Sequence, residues 1–212
     1  PEVRKIAQSR GLVTAERKDS QGICFVGKVN LPEFLQQKLE AKEGKIVEIP
    51  ANHEIYKYES TDYHKLAVPY KYDENMGKIV GHHRGAHFFT IGQRKGLRVG
   101  GKEKPLFVIS TDVEKNIIYV GEGDDHPGLN RQALFVRKED VHWVRPDMQL
   151  KLNTSDDYLV RIRYRQPLQM ATLHMETDGL YIVFNKKQRG ITPGQFAAWY
   201  KDDELIGSGI ID

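Results

Sequence analysis

The sequence predicts a mainly β protein with a few helices. From residue 78 onward, short apolar runs alternate with turns rich in Gly, Asp and Asn, a pattern typical of strands joined by short connections. The near-regular spacing of these runs after residue 130 favours a small β-barrel. The strands that we expect are Lys78–Gly81, His87–Ile91, Leu106–Thr111, Ile117–Val120, Leu134–Arg137, Tyr158–Arg165, Ala171–Met175, Leu180–Phe184, Gln195–Tyr200 and Leu205–Ile211.

The N-terminal part is predicted to be mostly helical. Apolar residues at helical spacing indicate a helix over residues 1–10, and Gly11 suits its end. Asn30 is a suitable N-cap for a second helix that would run to Leu39. We expect a strand at Lys45–Ile49.

Residues 50–76 are polar and rich in tyrosine, and neither a helical nor a strand period persists in them. We interpret the segment as an inserted surface loop. Its tyrosines could stack on RNA bases, or they could pack against the protein, which is the commoner use of such residues. They are Tyr56, Tyr58, Tyr63, Tyr70 and Tyr72.

The charges of the chain are nearly balanced, with 32 Lys and Arg against 29 Asp and Glu and a formal net charge of +3. This balance permits nucleic-acid binding without indicating it, so the clustering of basic residues matters more. No run approaches the ~20 apolar residues that a membrane helix needs. The basic residues cluster at Arg94, Lys95, Arg98 and Lys102, and again at Arg161, Arg163 and Arg165.

Cys24 is the only cysteine in the chain, which excludes a disulfide within it and favours a reducing compartment such as the cytoplasm. It lies in a short apolar run, as a buried structural thiol would. Gly22 and Gly27 allow sharp turns on both sides, and Arg17 and Lys18 could stabilise a thiolate. These residues alone leave both interpretations open.

Four blocks of the sequence carry a family resemblance. They are Gly11-Leu12-Val13-Thr14-Ala15 with Lys18-Asp19-Ser20-Gln21-Gly22-Ile23-Cys24-Phe25-Val26-Gly27, then Thr90-Ile91-Gly92-Gln93-Arg94-Lys95-Gly96-Leu97, Arg163-Tyr164-Arg165-Gln166 and Thr192-Pro193-Gly194-Gln195. In the same order, they resemble segments of the tRNA-specific 2-thiouridylases (the MnmA/TrmU family).

This resemblance implies three parts. Residues 1–28 would be the end of a catalytic domain, 29–129 a β-rich central domain, and 130–212 a six-stranded β-barrel like the second domain of elongation factors. The chain would be the C-terminal part of a longer enzyme. The ATP-pyrophosphatase domain of that enzyme would bind ATP with Mg and carry the first catalytic cysteine, so no cofactor is expected here.

The resemblance also implies a chemistry for Cys24. In the family, ATP activates the C2 oxygen of the wobble uridine in tRNA. A persulfide sulfur, supplied by a cysteine desulfurase or a sulfur-carrier protein, then replaces that oxygen. By position, Cys24 would bear the persulfide. The alternative is a non-catalytic RNA-binding module in which Cys24 is structural.

Five residues are candidate tRNA contacts. Arg163, Tyr164 and Gln195 match positions to which the resemblance assigns tRNA binding. Arg94 and Lys95 lie in a glycine-flanked turn, which could approach phosphates or could be an ordinary solvated turn.

The run Tyr158–Arg165 adds a basic stripe to this prediction. It alternates strongly and predicts a strand with Arg161, Arg163 and Arg165 on one face. At about 7 Å spacing, their charges would suit a nucleic-acid backbone.

Three other activities receive little support. His82, His83 and His87 suggest a metal site, but the segment is expected to be strand and loop, and the resemblance implies no metal there. The segment Gly96–Glu103 approaches a phosphate-binding loop, but Glu103 stands where a Ser or Thr would bind magnesium. No glycine-rich S-adenosylmethionine loop supports methyl transfer, which older family names suggest.

Overall fold

The computed structural model describes residues 2–16, 42–57 and 60–212. The chain divides into two compact units, residues 1–41 and 42–212. In the first unit, the helix Glu2–Ser9 confirms the helix predicted over residues 1–10. Cys24 and the helix predicted from Asn30 to Leu39 lie outside the described residues.

A four-stranded sheet forms the first half of the larger unit. Its strands are β1 (Gly44–Glu48), β2 (Lys78–His83), β3 (Leu106–Asp112) and β4 (Ile117–Glu122), in the order β2-β1-β4-β3. The pairing of β1 with β4 is parallel and the other two pairings are antiparallel. Apolar side chains cover both faces, which is why β4 is buried from Ile117 to Gly121.

A seven-stranded antiparallel sheet forms the second half. It curls into a half-barrel, so the predicted mainly β architecture is confirmed with seven strands in this sheet instead of six. Its interior holds large apolar side chains, with Trp199 and Phe184 among the largest that are fully buried. In sheet order, the strands are β5 (Asn130–Arg137), β9 (Gly179–Arg189), β8 (Gln169–Met175), β7 (Thr154–Arg161), β10 (Phe196–Lys201), β11 (Glu204–Ile210) and β6 (Val141–Trp143).

Two strand predictions were wrong in part or in whole. The predicted strand His87–Ile91 is a 3-10 turn at Ala86–Phe88 followed by a loop, because Asn116 Oδ1 accepts the N–H of Ala86 and draws the backbone away from the sheet. The predicted strand Tyr158–Arg165 ends at Arg161. Arg165 there adopts a left-handed backbone (φ 66°), so the three arginines do not form a stripe on one strand.

The tyrosine-rich segment, residues 50–76, is packed against the protein over its described residues. The Tyr56 and Tyr72 hydroxyls are hydrogen-bonded at 3.0 Å. The short helix Tyr63–Ala67 lies on β5 and β9, where the Tyr63 ring stacks on His174 with 4.2 Å between centroids. Of the two uses considered for these tyrosines, packing against the protein is the one that these contacts show. Tyr58 lies outside the described residues.

Candidate nucleic-acid interface

Three turns meet at one end of the half-barrel, and we call their exposed residues the three-turn surface. They are the turns 90–96, 162–166 and 190–195, and each carries one of the sequence blocks that the family resemblance singled out. Arg163 joins them. Its Nη2 donates to the carbonyl oxygen of Gly190 at 2.9 Å and lies 3.8 Å from the point where a Cβ on Gly92 would be.

The turn 90–96 is fixed to the edge of β3. Gly92 N–H donates to Val108 O at 2.7 Å, and Val108 N–H donates to Gln93 O at 2.9 Å. The Gln93 side chain closes the turn, because its Oε1 accepts from Thr90 N and its Nε2 donates to Lys95 O. The rigid turn leaves the side chains of Arg94 and Lys95 in solvent.

The turn 162–166 follows β7 and is anchored by Gln166. Its Oε1 accepts the N–H of Ile162 at 3.0 Å, and its Nε2 donates to Gln188 at 3.0 Å. Ile162 is buried in the half-barrel, whereas the side chain of Tyr164 is 88% exposed. The Arg165 guanidinium lies 5.3 Å from the Tyr164 ring centroid, so an aromatic surface and a cation point outward together.

The turn 190–195 supplies the carbonyl that holds Arg163. Gly190 has a left-handed backbone (φ 68°), and a Cβ there would overlap the Arg163 guanidinium. Thr192 Oγ1 also donates to Gly190 O at 3.0 Å. Ile211 N–H donates to Gln195 O at 2.8 Å, which ties the turn to the C-terminal strand and leaves the Gln195 side chain exposed.

The cations of the three-turn surface have no carboxylate partner within the described part of the chain. Arg94, Lys95, Arg163 and Arg165 form no ion pair, whereas Arg145 elsewhere binds both Asp147 and Glu204. Uncompensated charge beside an exposed aromatic ring and an amide suits the phosphates and bases of single-stranded RNA.

Three members of the predicted basic clusters do not belong to this surface, and one of them, Arg98, lies beyond the end of the turn 90–96. Lys102 forms an ion pair with Glu48. Arg161 lies over the ring of Tyr200 with 5.0 Å between its guanidinium carbon and the ring centroid. Sequence inspection missed Gln93, Gln166 and Gly190, which hold the turns; a glutamine inside or at the end of each motif was the only signal for the first two.

His82, His83 and His87 are not grouped as the ligands of a metal ion would be. His83 is buried, its Nδ1 accepts from Gly85 N–H at 2.9 Å, and burial lowers its pKa. Across residues 2–16, 42–57 and 60–212, no three His, Cys, Asp or Glu side chains are grouped as metal ligands would be. The loop Gly96–Glu103 leads into β3 and not into a helix, unlike a phosphate-binding loop.

Known families match three successive parts of the chain. Residues 1–28 match a tRNA methyl transferase HUP domain, 70–122 a tRNA methyl transferase PRC-barrel domain, and 134–211 an aminomethyltransferase beta-barrel domain. None of the helices in the described residues is both long and apolar enough to cross a membrane.

Curated proteins match nearly the whole chain. A tRNA-specific 2-thiouridylase MnmA from Flavobacterium johnsoniae is 56% identical over 100% of this chain and 55% of its own length. The proteins of the same name from Christiangramia forsetii and Karelsulcia muelleri are 54% and 46% identical, each over 99% of this chain and over 55% and 54% of their own lengths. The chain therefore spans about half the length of these relatives.

Proposed function

The chain belongs to the MnmA family of tRNA-specific 2-thiouridylases, and from this premise we propose that it is the part of a tRNA-uridine 2-sulfurtransferase that grips the tRNA and carries the sulfur-bearing cysteine. The observation that carries the proposal is identity of 46–56% over essentially the whole chain to relatives named for this activity. The proposed compartment is the cytoplasm, where tRNA and reduced thiols are found.

In the proposed reaction, Cys24 bears a persulfide received from a cysteine desulfurase or a sulfur-carrier protein. ATP, bound with Mg by a domain outside this chain, adenylates the C2 oxygen of the wobble uridine and releases pyrophosphate. The terminal sulfur attacks C2, so that a C–S bond forms and AMP leaves with the oxygen. A second thiol then attacks the Cys24 sulfur, which releases the thiolated base and leaves a disulfide to be reduced.

In this proposal, the three-turn surface binds the tRNA. Arg163, Arg94 and Lys95 face phosphates as uncompensated cations, and Tyr164 and Gln195 offer a stacking ring and an amide. Because Arg163 is held by Gly190 O at 2.9 Å, its guanidinium needs little ordering when RNA binds.

Mass spectrometry of the full-length protein tests the chemistry. The protein and its Cys24→Ser variant are incubated with cysteine desulfurase, cysteine and any sulfur carriers, and the intact masses are compared. The expected result is a gain of one sulfur, removable by a reductant, only where Cys24 is present. Preparations that thiolate tRNA without any sulfur on Cys24 would return this residue to a structural role.

The alternative function is a non-catalytic RNA-binding module with a structural Cys24. The exposed cations of the three-turn surface, which have no carboxylate partner in residues 2–16, 42–57 and 60–212, are compatible with both functions, so Cys24 separates them. An enzyme needs a cysteine that alkylating reagents reach in the folded state, whereas a structural thiol reacts only after unfolding.

A further inference from the structure

A cleft of about 470 Å³ opens beside the three-turn surface. Its volume falls in the range of ~300–1,000 Å³ that is typical of ligand pockets. Six parts of the fold contribute walls: the tyrosine-rich segment, the turn 90–96 with Phe89 before it, β3, the 3-10 turn Pro127–Leu129, β5 and the turn 190–195. Residues that line it include Tyr70, Thr90, Thr111, Arg131, Thr192 and Gln195.

Arg131 is a buried cation in the wall of this cleft. Its side chain is 9% exposed, and its Nη2 donates to the carbonyl oxygens of Ala67 and Ala133. Its Nε has no hydrogen-bond partner, and it forms no ion pair within the described residues. Burial lowers the pKa of Arg131 to about 10, so the group still carries its charge at neutral pH. A buried charge without a counter-ion is costly, and an anion in the cleft would relieve that cost.

The other polar side chains that line the cleft favour an anion over a cation. Hydroxyl groups from Tyr70, Thr90, Ser110 and Thr111 can donate hydrogen bonds, and no Asp or Glu lines the cleft. Phosphate oxygens are acceptors only, so this lining suits them and disfavours a cation. The remaining wall is apolar or aromatic and suits a ribose or base; it includes Tyr72, Ile91, Leu129 and Pro193.

We propose that this cleft takes one unstacked nucleotide of the RNA, with its phosphate toward Arg131 and its base against the tyrosine and proline wall. The inference rests on the proposed function, because it requires that the three-turn surface binds RNA. Gln195 belongs both to that surface and to the lining of the cleft. A strand held across the three turns therefore reaches the cleft mouth without leaving the protein.

Cross-linking of the full-length protein to tRNA tests the proposal directly. The photoreactive residue p-benzoylphenylalanine is placed at Tyr70 and, as a control, at Thr172 on β8, whose hydroxyl bonds Asp157 outside the cleft. We expect light-induced cross-links from position 70 to one or two adjacent nucleotides and none from position 172. A cross-link to a sulfur-carrier protein in place of tRNA would overturn the proposal in favour of a peptide carboxylate.

Affinity measurements complete the test. Arg131→Gln should weaken tRNA binding about tenfold, as the loss of a charged hydrogen bond does. If that variant does not fold, Thr111→Val, which keeps the side-chain shape and removes a hydroxyl, should weaken binding about threefold, and Thr172→Val should not. The cleft would be rejected if Thr111→Val bound tRNA with unchanged affinity and position 70 gave no cross-link. If Arg163→Ala still weakened tRNA binding in that case, the proposed function would stand. If Arg163→Ala also left the affinity for tRNA unchanged, both the cleft and the tRNA-binding role of the three-turn surface would be rejected.

Discussion

The three-turn surface and the helix Tyr63–Ala67 of the tyrosine-rich segment place residue types that recognise RNA in opposite environments. Arg163 and Tyr164 lie exposed in a turn, and the cation has no acidic partner among the described residues. Tyr63, in the segment, stacks on His174 and donates to Glu176 at 2.7 Å. A tyrosine is therefore an RNA candidate only where the fold leaves its ring uncovered.

The largest effect that separates the two regions is on stability. Tyr63→Ala removes the stack on His174 and the bond to Glu176, so we expect the free energy of unfolding to fall by about 2 kcal/mol in a urea titration. Affinity for tRNA should not change. Tyr164→Ala is the matched control, with unchanged stability and weaker tRNA binding. The reverse pattern would contradict the division.

Removal of a charge from the three-turn surface comes next. Arg163→Ala in the full-length protein should weaken tRNA binding about tenfold and reduce the slope of log affinity against log salt by about 1, because one phosphate contact is lost. Arg145→Ala is the control, since Arg145 is already paired with Asp147 and Glu204. An unchanged salt slope would take Arg163 out of the interface.

A smaller effect tests whether position matters beyond charge. Gly190→Ala would push the Arg163 guanidinium aside, so we expect about threefold weaker tRNA binding at nearly the parental salt slope. Gly194→Ala is the control, because Gly194 has a similarly left-handed backbone (φ 80°) but a Cβ there would meet open space. Both variants should lose about 1 kcal/mol of stability. Equal tRNA affinities of the two variants would show that Arg163 needs no fixed position.

The smallest effect is a pH dependence beneath the tyrosine-rich segment. His126 packs against Tyr56, its Nδ1 accepts from Gly128 N–H at 3.2 Å, and burial lowers its pKa. As the pH falls, His126 of the unfolded chain takes up a proton at about pH 6.5, before His126 of the folded chain does. The contribution of His126 to stability is therefore fully present above that pH and is lost as the pH falls through the pKa of the folded state. In urea titrations between pH 7.5 and 5.5, His126→Gln should lessen the loss of stability. Exposed His142 on β6 serves as the control, and an equal change from His142→Gln would refute this role.

Prediction from sequence succeeded where a pattern repeats within one element. The alternation in Ala171–Met175 marks a strand whose apolar side chains face the interior of the half-barrel, and β8 contains it. Leu180–Phe184 is a continuous apolar run within β9, with Leu180, Ile182 and Phe184 in that interior and Tyr181 and Val183 in a separate cluster. It failed in the run up to Arg165, where the alternation continues but a left-handed residue and the Gln166 side chain end the strand. The three residues of β6 were missed, since so short an element depends on its pairing with β11.

The sequence by itself determined the mainly β class, the family and the residues that could bind RNA, because these depend on local patterns and on motifs read in order. Only the tertiary structure decided that turns 90–96, 162–166 and 190–195 meet, and that Arg131 lies buried with no carboxylate partner in the described part of the chain. The physical reason is that both facts depend on contacts between residues far apart in the chain, such as Arg163 with Gly190 and Arg131 with Ala67. No local pattern encodes whether a distant carboxylate or carbonyl will be there.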